Sequence, residues 1–181
     1  MVSDVLTFAV VVIGKFAPGM FHPSWLERFE LVGKEAAAAS MRENIFISED
    51  RTNFFIDGMD ILVLPVRIQI ASSREDAYES IRDLMRSILV LLDVTPVTSV
   101  GLNWTKHFKV SSEAKWHALG DRFAPKSFWN THWNGHAGLL RLSVRLERTD
   151  ARLGSVNVVV EPSSEITPGV YVKINDHFEI D

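Results

Sequence analysis

A chain of 181 residues can hold one domain with a sizeable core, and 46% hydrophobic with 23% charged residues excludes a disordered or fibrous protein. Nineteen Lys and Arg against 23 Asp and Glu give a net charge of −4. That lacks the basic excess with which nucleic-acid binders displace counterions from phosphates, so no nucleic-acid partner is expected. Without cysteine there are no disulfides, iron–sulfur clusters, thiolate zinc sites or cysteine nucleophiles.

The first expected strand, Val5 to Phe16, is apolar on both faces, which suits the interior of a sheet covered on both sides. Its apolar run, Phe8 to Ile13, is too short to cross a bilayer. Asp4 precedes that run without any Lys or Arg, unlike a signal peptide. The expectation is therefore a cytoplasmic protein with no membrane partner. Ala17-Pro18-Gly19 ends the strand, and a short helix starts near His22 with Pro23 in its first turn, where a missing N–H costs nothing. Residues 33–44 leave helix and strand open, with the alanines from Ala36 to Ala39 favouring helix. Asn44 to Ser48 and Thr52 to Ile56 read as short strands. Asp57-Gly58 signals a hairpin turn, because Gly supplies a positive φ. The partner strand is expected over Asp60 to Ala71, with Leu62, Leu64, Val66, Ile68 and Ile70 on one face and Arg67 and Gln69 on the other.

The clearest helix spans Glu75 to Leu92. Ser72 with Glu75, or Ser73 with Asp76, suggests a capping box. Ile81, Leu84, Met85 and Ile88 centre an apolar stripe at helical spacing. After Pro96, a strand from Val97 to Val110 sets Val100, Leu102, Trp104, Phe108 and Val110 against Gly101, Asn103, Thr105, His107 and Lys109. Ser111 or Ser112 caps a further helix that ends near Ala124, before Pro125. An aromatic loop follows, then strands at Leu139 to Arg148, Val156 to Val160 and Val170 to Asn175. In the first of these, Leu140, Leu142, Val144 and Leu146 are expected to face inward. Strands without a βαβα alternation imply an α+β fold. Residues 1–181 read as a single domain with a mostly antiparallel sheet, covered by one long amphipathic helix and one or two shorter ones.

Phe16-Ala17-Pro18, Pro23-Ser24-Trp25, Thr95-Pro96-Val97 with Gly101-Leu102-Asn103, and Lys115-Trp116-His117 through Ala124-Pro125-Lys126 are scattered in this order along the chain. Glu161-Pro162-Ser163, Pro168-Gly169-Val170-Tyr171 and Asn175-Asp176-His177-Phe178 complete the pattern. With these pieces the chain resembles a family of uncharacterised bacterial proteins of similar size. The resemblance implies a complete domain of bacterial origin and carries no activity, cofactor or catalytic residue.

The segment from Lys115 to His136 holds three of the five tryptophans and three of the six histidines. Large aromatic area beside titratable rings is what a ligand pocket, a metal site or an interface anchor uses. The candidate binding residues are Trp116, His117, Lys126, Trp129, His132, Trp133 and His136, with His177 near the end of the chain. Trp116, Leu119 and Phe123 share a helix face expected to be buried. His132 and His136 have a spacing that suits a metal on a helix, but Asn134-Gly135 argues against a helix and no third ligand is evident, so no metal or other cofactor is expected. Asp176 and His177, adjacent on a strand, point to opposite faces and cannot form a dyad with each other. Arg67, Gln69, Asn103, Thr105, His107, Arg141, Ser143 and Arg145 would make an anion-binding face if their strands were neighbours. Three functions follow in order. The first is a non-enzymatic, self-associating interaction protein, a homo-oligomer. The second is a small-molecule or peptide-binding domain using the aromatic segment. The third is a histidine-based hydrolase, with or without metal.

Overall fold

Alternating apolar and polar residues turn much of this chain into strand. The computed structural model describes residues 6–135 and 137–180. Its strands are β1 (Leu6–Gly14), β2 (Phe46–Ile47), β3 (Thr52–Ile56), β4 (Met59–Leu64), β5 (Arg67–Ser72), β6 (Val97–Lys109), β7 (Leu142–Glu147), β8 (Gly154–Pro162) and β9 (Gly169–Glu179). All join one antiparallel sheet in the order β2-β3-β4-β5-β1-β6-β9-β8-β7. The fold is α+β. The doubly apolar β1 is interior, between β5 and β6. Asp57 and Gly58 both take positive φ, at 49° and 78°, as a tight two-residue hairpin turn between β3 and β4 requires.

The helices are α1 (Pro23–Arg28), α2 (Lys34–Ser40), α3 (Tyr78–Leu91), α4 (Glu113–Phe123) and α5 (Ser127–His132). Pro23 opens α1, where the His22 ring Nδ1 accepts the Ser24 N–H at 3.1 Å. The alanine run forms α2, which packs beside β3, and Ser40 donates to the Phe55 carbonyl. A 3-10 turn, Glu75–Ala77, leads into α3. Ile81, Leu84, Met85 and Ile88 of α3 are buried with Phe8, Val10, Val12, Ile68 and Ile70. Burying those four helix side chains contributes at most about 6–12 kcal/mol. Together α1, α2 and α3 line one face of the sheet's N-terminal half.

Several expectations from the sequence need correction. The strand expected over Asp60 to Ala71 breaks at Pro65, which has no N–H to give the ladder. The chain turns back there, so Leu62 and Leu64 lie on the face opposite Ile68 and Ile70. Val66 is exposed at the turn. No capping box forms at α3: Ser72 donates to the Gly58 carbonyl and accepts from the Arg74 N–H, which uses its hydroxyl before the helix begins. Ser112, by contrast, caps α4 by accepting the Lys115 N–H. The aromatic loop contains a helix, α5. The strand expected from Leu139 begins only at Leu142, and Leu140 is 84% exposed. Val5 and His136 lie outside the described residues.

Candidate functional site

The cross-strand register assigns every strand residue to a face. On the helix-bearing face, one row runs Trp104, Ile174, Val158 and Val144 across β6, β9, β8 and β7. The next rows are Lys106, Val172, Val160 and Leu142 on one side, and Leu102, Asp176, Val156 and Leu146 on the other. Apart from Lys106 and Asp176 these rows are apolar, as is the half beneath α3. Among the described residues no element lies over its middle, and Ile174, Val144 and Leu146 are 36%, 38% and 48% exposed. Four strands at about 4.8 Å spacing and six residues at about 3.3 Å each make a bare area of about 400 Å². Typical monomers expose a largest apolar patch of about 300–600 Å², often a functional one.

The two boundaries of this bare face differ. At one end α4 covers Val160, Pro162 and Val170, leaving a cavity of about 110 Å³ also lined by Trp116, Leu119, Phe123 and Leu139. The Trp116 indole N–H donates to the Gly169 carbonyl at 2.9 Å and fastens α4 to β9. Along α3 the step down to β6 forms a groove of about 740 Å³, floored by Val10, Val100, Leu102 and Trp104 and walled by Tyr78, Met85 and Leu89. Phe8 packs at a tilt against both Tyr78 and Trp104, at ring distances of 4.6 and 5.2 Å, and makes one end of the groove aromatic. Glu79, Arg82, Arg86 and Asp93 form a rim of mixed charge.

Asp176 and Lys106 are the charged side chains of these rows, and Lys106 lies over the Phe108 ring. Asp176 is paired with Arg148, which also makes a two-pronged contact with Asp150 and lies 3.9 Å over the Phe178 ring. The hydrogen bonds from Arg148 hold the Asp150 carboxyl at about 2.

The candidate residues from the sequence divide into three groups. Trp116, His117 and Lys126 meet at the α4 cavity, where Lys126 pairs with Asp121 at 2.8 Å. Trp129, His132 and Trp133 line neither the cavity nor the groove. Trp133 is 74% exposed, and Phe128 and Trp129 are exposed too. His132 bonds through Nδ1 to the Phe128 carbonyl one turn back in α5. His177 stands apart, on the opposite sheet face beside Gly101 and Ser155. The α4 face is less buried than expected: Trp116 and Leu119 are half-buried, and Phe123 is exposed. The cause is the open cavity between α4 and the sheet. Among the described residues, no three His, Asp or Glu side chains converge as a metal site. No helix among them is long and apolar enough to cross a membrane.

The polar residues singled out from the sequence do share the other face. They form no single anion site, because β1 separates Arg67 and Gln69 from β6, and β9 and β8 separate β6 from Arg145. Asn103, Asn175 and Asn157 form a cross-strand ladder there, with Asn175 donating to Asn103 at 2.9 Å. His107 Nδ1 lies 2.8 Å from the Ser163 hydroxyl. That hydroxyl already accepts the N–H groups of Glu165 and Ile166, so its proton points to His107 and its lone pairs are engaged. The pair pins the β8–β9 loop. Burial, with Glu161 adding and Arg141 opposing, pushes the neighbouring Tyr171 hydroxyl up.

Nothing in the sequence marked the bare face as bare, since its alternation is that of any half-buried strand. The available signal was the shortage of helix to cover so many strands. No family model matches the chain, and no curated protein matches it.

Proposed function

We propose that this chain is a self-associating interaction protein that docks through the bare half of its sheet. One observation carries the reading: the apolar row Trp104–Ile174–Val158–Val144 crosses four strands with no layer above it among the described residues. An apolar sheet face is buried against a second layer in stable architectures. The face suits a second copy because its Asp176 already has a partner in Arg148, so docking leaves no unpaired carboxylate in these rows. A non-catalytic role is supported by the engagement of Ser163, His132 and Asp176 in structural bonds. Small-molecule or peptide binding ranks second: the α4 cavity of about 110 Å³ is below the usual ligand-pocket size of about 300–1,000 Å³, while the groove of about 740 Å³ reaches that size but is continuous with the bare face rather than enclosed. Residence in the cytoplasm and membership of the resembled bacterial family belong to the same proposal and rest on sequence alone.

Sedimentation tests this reading. The wild-type chain should associate reversibly, and Ile174→Lys and Val144→Lys should each sediment as folded monomers. Both sites are already partly in water, so the added charge opposes docking more than folding. A wild-type chain that stays monomeric up to millimolar concentration overturns the proposal.

A further inference from the structure

We infer that the cavity between α4 and the sheet is a binding site for a neutral single-ring aromatic molecule carrying one hydrogen-bond donor, the chemistry of phenol. The inference goes beyond self-association and does not depend on it.

Helix geometry builds the site. At 3.6 residues per turn, Trp116, Leu119, Gly120 and Phe123 share one face of α4, and His117 and Asp121 border it. That face looks onto Val160 and Val170 of the sheet. No residue of α4 is buried, although its apolar side lies over the sheet, so the helix is held off its bed. The Trp116 hydrogen bond to the Gly169 carbonyl fixes it there.

Gly120 is the second observation. It sits on the cavity side of a helix, where glycine is the poorest former after proline. Its backbone asks for no glycine, since the positive-φ glycines among the described residues are Gly58 and Gly154. No neighbour crowds it either. Among the described residues, a Cβ added at Gly120 would meet Leu139 alone, in ordinary contact at 3.8 Å. Gly138, also at the cavity wall, has nothing within 4 Å of such an atom. Two absent side chains thus keep the space open, at a cost to the helix that neither strain nor packing explains.

The lining selects the ligand. Its walls are the rings of Trp116 and Phe123 and the aliphatic groups of Leu119, Leu139, Val160 and Val170. The Trp116 N–H is already bonded, so these side chains offer no hydrogen bond. An apolar cavity of about 150 Å³ stays dry and takes benzene. The cavity here, about 110 Å³, holds one ring with its substituent at the mouth. At that mouth Lys126 pairs with Asp121 at 2.8 Å and their charges cancel, which favours a neutral ligand over an ion. Oδ1 of Asp121 makes this contact, which leaves Oδ2 to accept the ligand's O–H.

Phenol titrated into the wild-type chain tests the site. At tenfold over its dissociation constant it should raise the melting temperature by about 3–6 °C, saturably. Ile174→Lys should show the same shift, because Ile174 lies outside the cavity. Gly120→Leu fills the space and should abolish the shift, while the free variant melts at or above wild type. Gly120→Ala also improves the helix but leaves most of the space, and should keep the shift; the pair separates filling from helix propensity. Amide resonances of residues 116–123 and 160–170 should move with the ring in the wild type, a map that decides even where Gly120→Leu does not fold. Benzoate should bind at least about tenfold more weakly than phenol, for want of a free cation at the mouth.

Absence of a saturable shift, or an equal shift in Gly120→Leu, overturns the proposal. Benzoate that binds as tightly as phenol overturns the neutral class. Resonance changes confined to Tyr78, Leu89 and Leu102 would put the ring in the groove beside α3 and overturn the site. None of these outcomes bears on self-association, which sedimentation of Ile174→Lys tests separately.

Discussion

Replacing Ile88 by Ala tests whether α3 and the sheet form the core described above. Ile88 is fully buried on the α3 stripe, whereas Val90, two residues on, is 68% exposed on the groove side. The substitution deletes three carbons, worth about 2.4 kcal/mol at about 0.8 kcal/mol each. The remaining cavity adds to this, because α3 is held over β1 and β5 and cannot collapse freely; the expected total is about 3–4 kcal/mol. That is a large share of a typical stability of about 5–15 kcal/mol. Urea unfolding followed by circular dichroism, at a concentration where the chain is monomeric, should show the midpoint fall by about 1–2 M with an unchanged slope. Val90→Ala under the same conditions should stay within about 0.5 kcal/mol of wild type. Equal losses for the two variants, or an Ile88→Ala loss below about 1 kcal/mol, would refute the assignment of the buried face.

Trp116→Phe removes the indole N–H that holds the Gly169 carbonyl and should cost about 1 kcal/mol in the same assay; hydrogen exchange should quicken in α4 while α3 is unaffected. The Asp150 carboxyl, held down by Arg148, has a folded value below its unfolded one. Its contribution to stability is therefore present above about pH 4, the ordinary carboxylate value, and is lost as the pH falls toward about 2. A carboxyl-detected NMR titration should place its midpoint near 2, and Arg148→Ala should return it toward the ordinary value. An unchanged midpoint in that variant would remove Arg148 as the cause.

The parts of the fold that were legible from sequence are those set by local pattern. The α3 stripe announces itself through Ile81, Leu84, Met85 and Ile88, and the Asp57-Gly58 turn through backbone chemistry that few other pairs accept. Pro65 was equally visible, yet the apolar residues on both sides of it made one long strand attractive. The proline's missing donor decided the matter. Caps were less legible, because Ser72 had a tertiary partner in the Gly58 carbonyl that no local rule foresees. The candidate site was half legible. Clustering of Trp116, His117 and Lys126 followed from helical spacing and the stop at Pro125. His177 was grouped with them only because histidines attract functional readings, and the sheet puts it on the opposite face. Alternation along β7 put Val144 and Leu146 on one side with the apolar row, but the expectation that they face inward fails, since they are 38% and 48% exposed: alternation reports which side is apolar and not whether anything covers it.

The strand order has a consequence for synthesis. β9 is the last strand in chain order, yet it lies between β6 and β8. Until residues 169–179 have left the ribosome, β6 and β8 each present an unpaired edge, and Ser99 has no Glu179 to pair with. The N-terminal layers can form early, since β1 to β6 and α3 carry their own core. The β7–β8 hairpin meanwhile waits with an apolar face and two open edges, a species prone to pair with its neighbours on a polysome. Closure by β9 is a long-range step of the slow kind. The nascent chain is therefore most exposed to aggregation in the interval before its final strand arrives, and that strand makes two half-sheets into one.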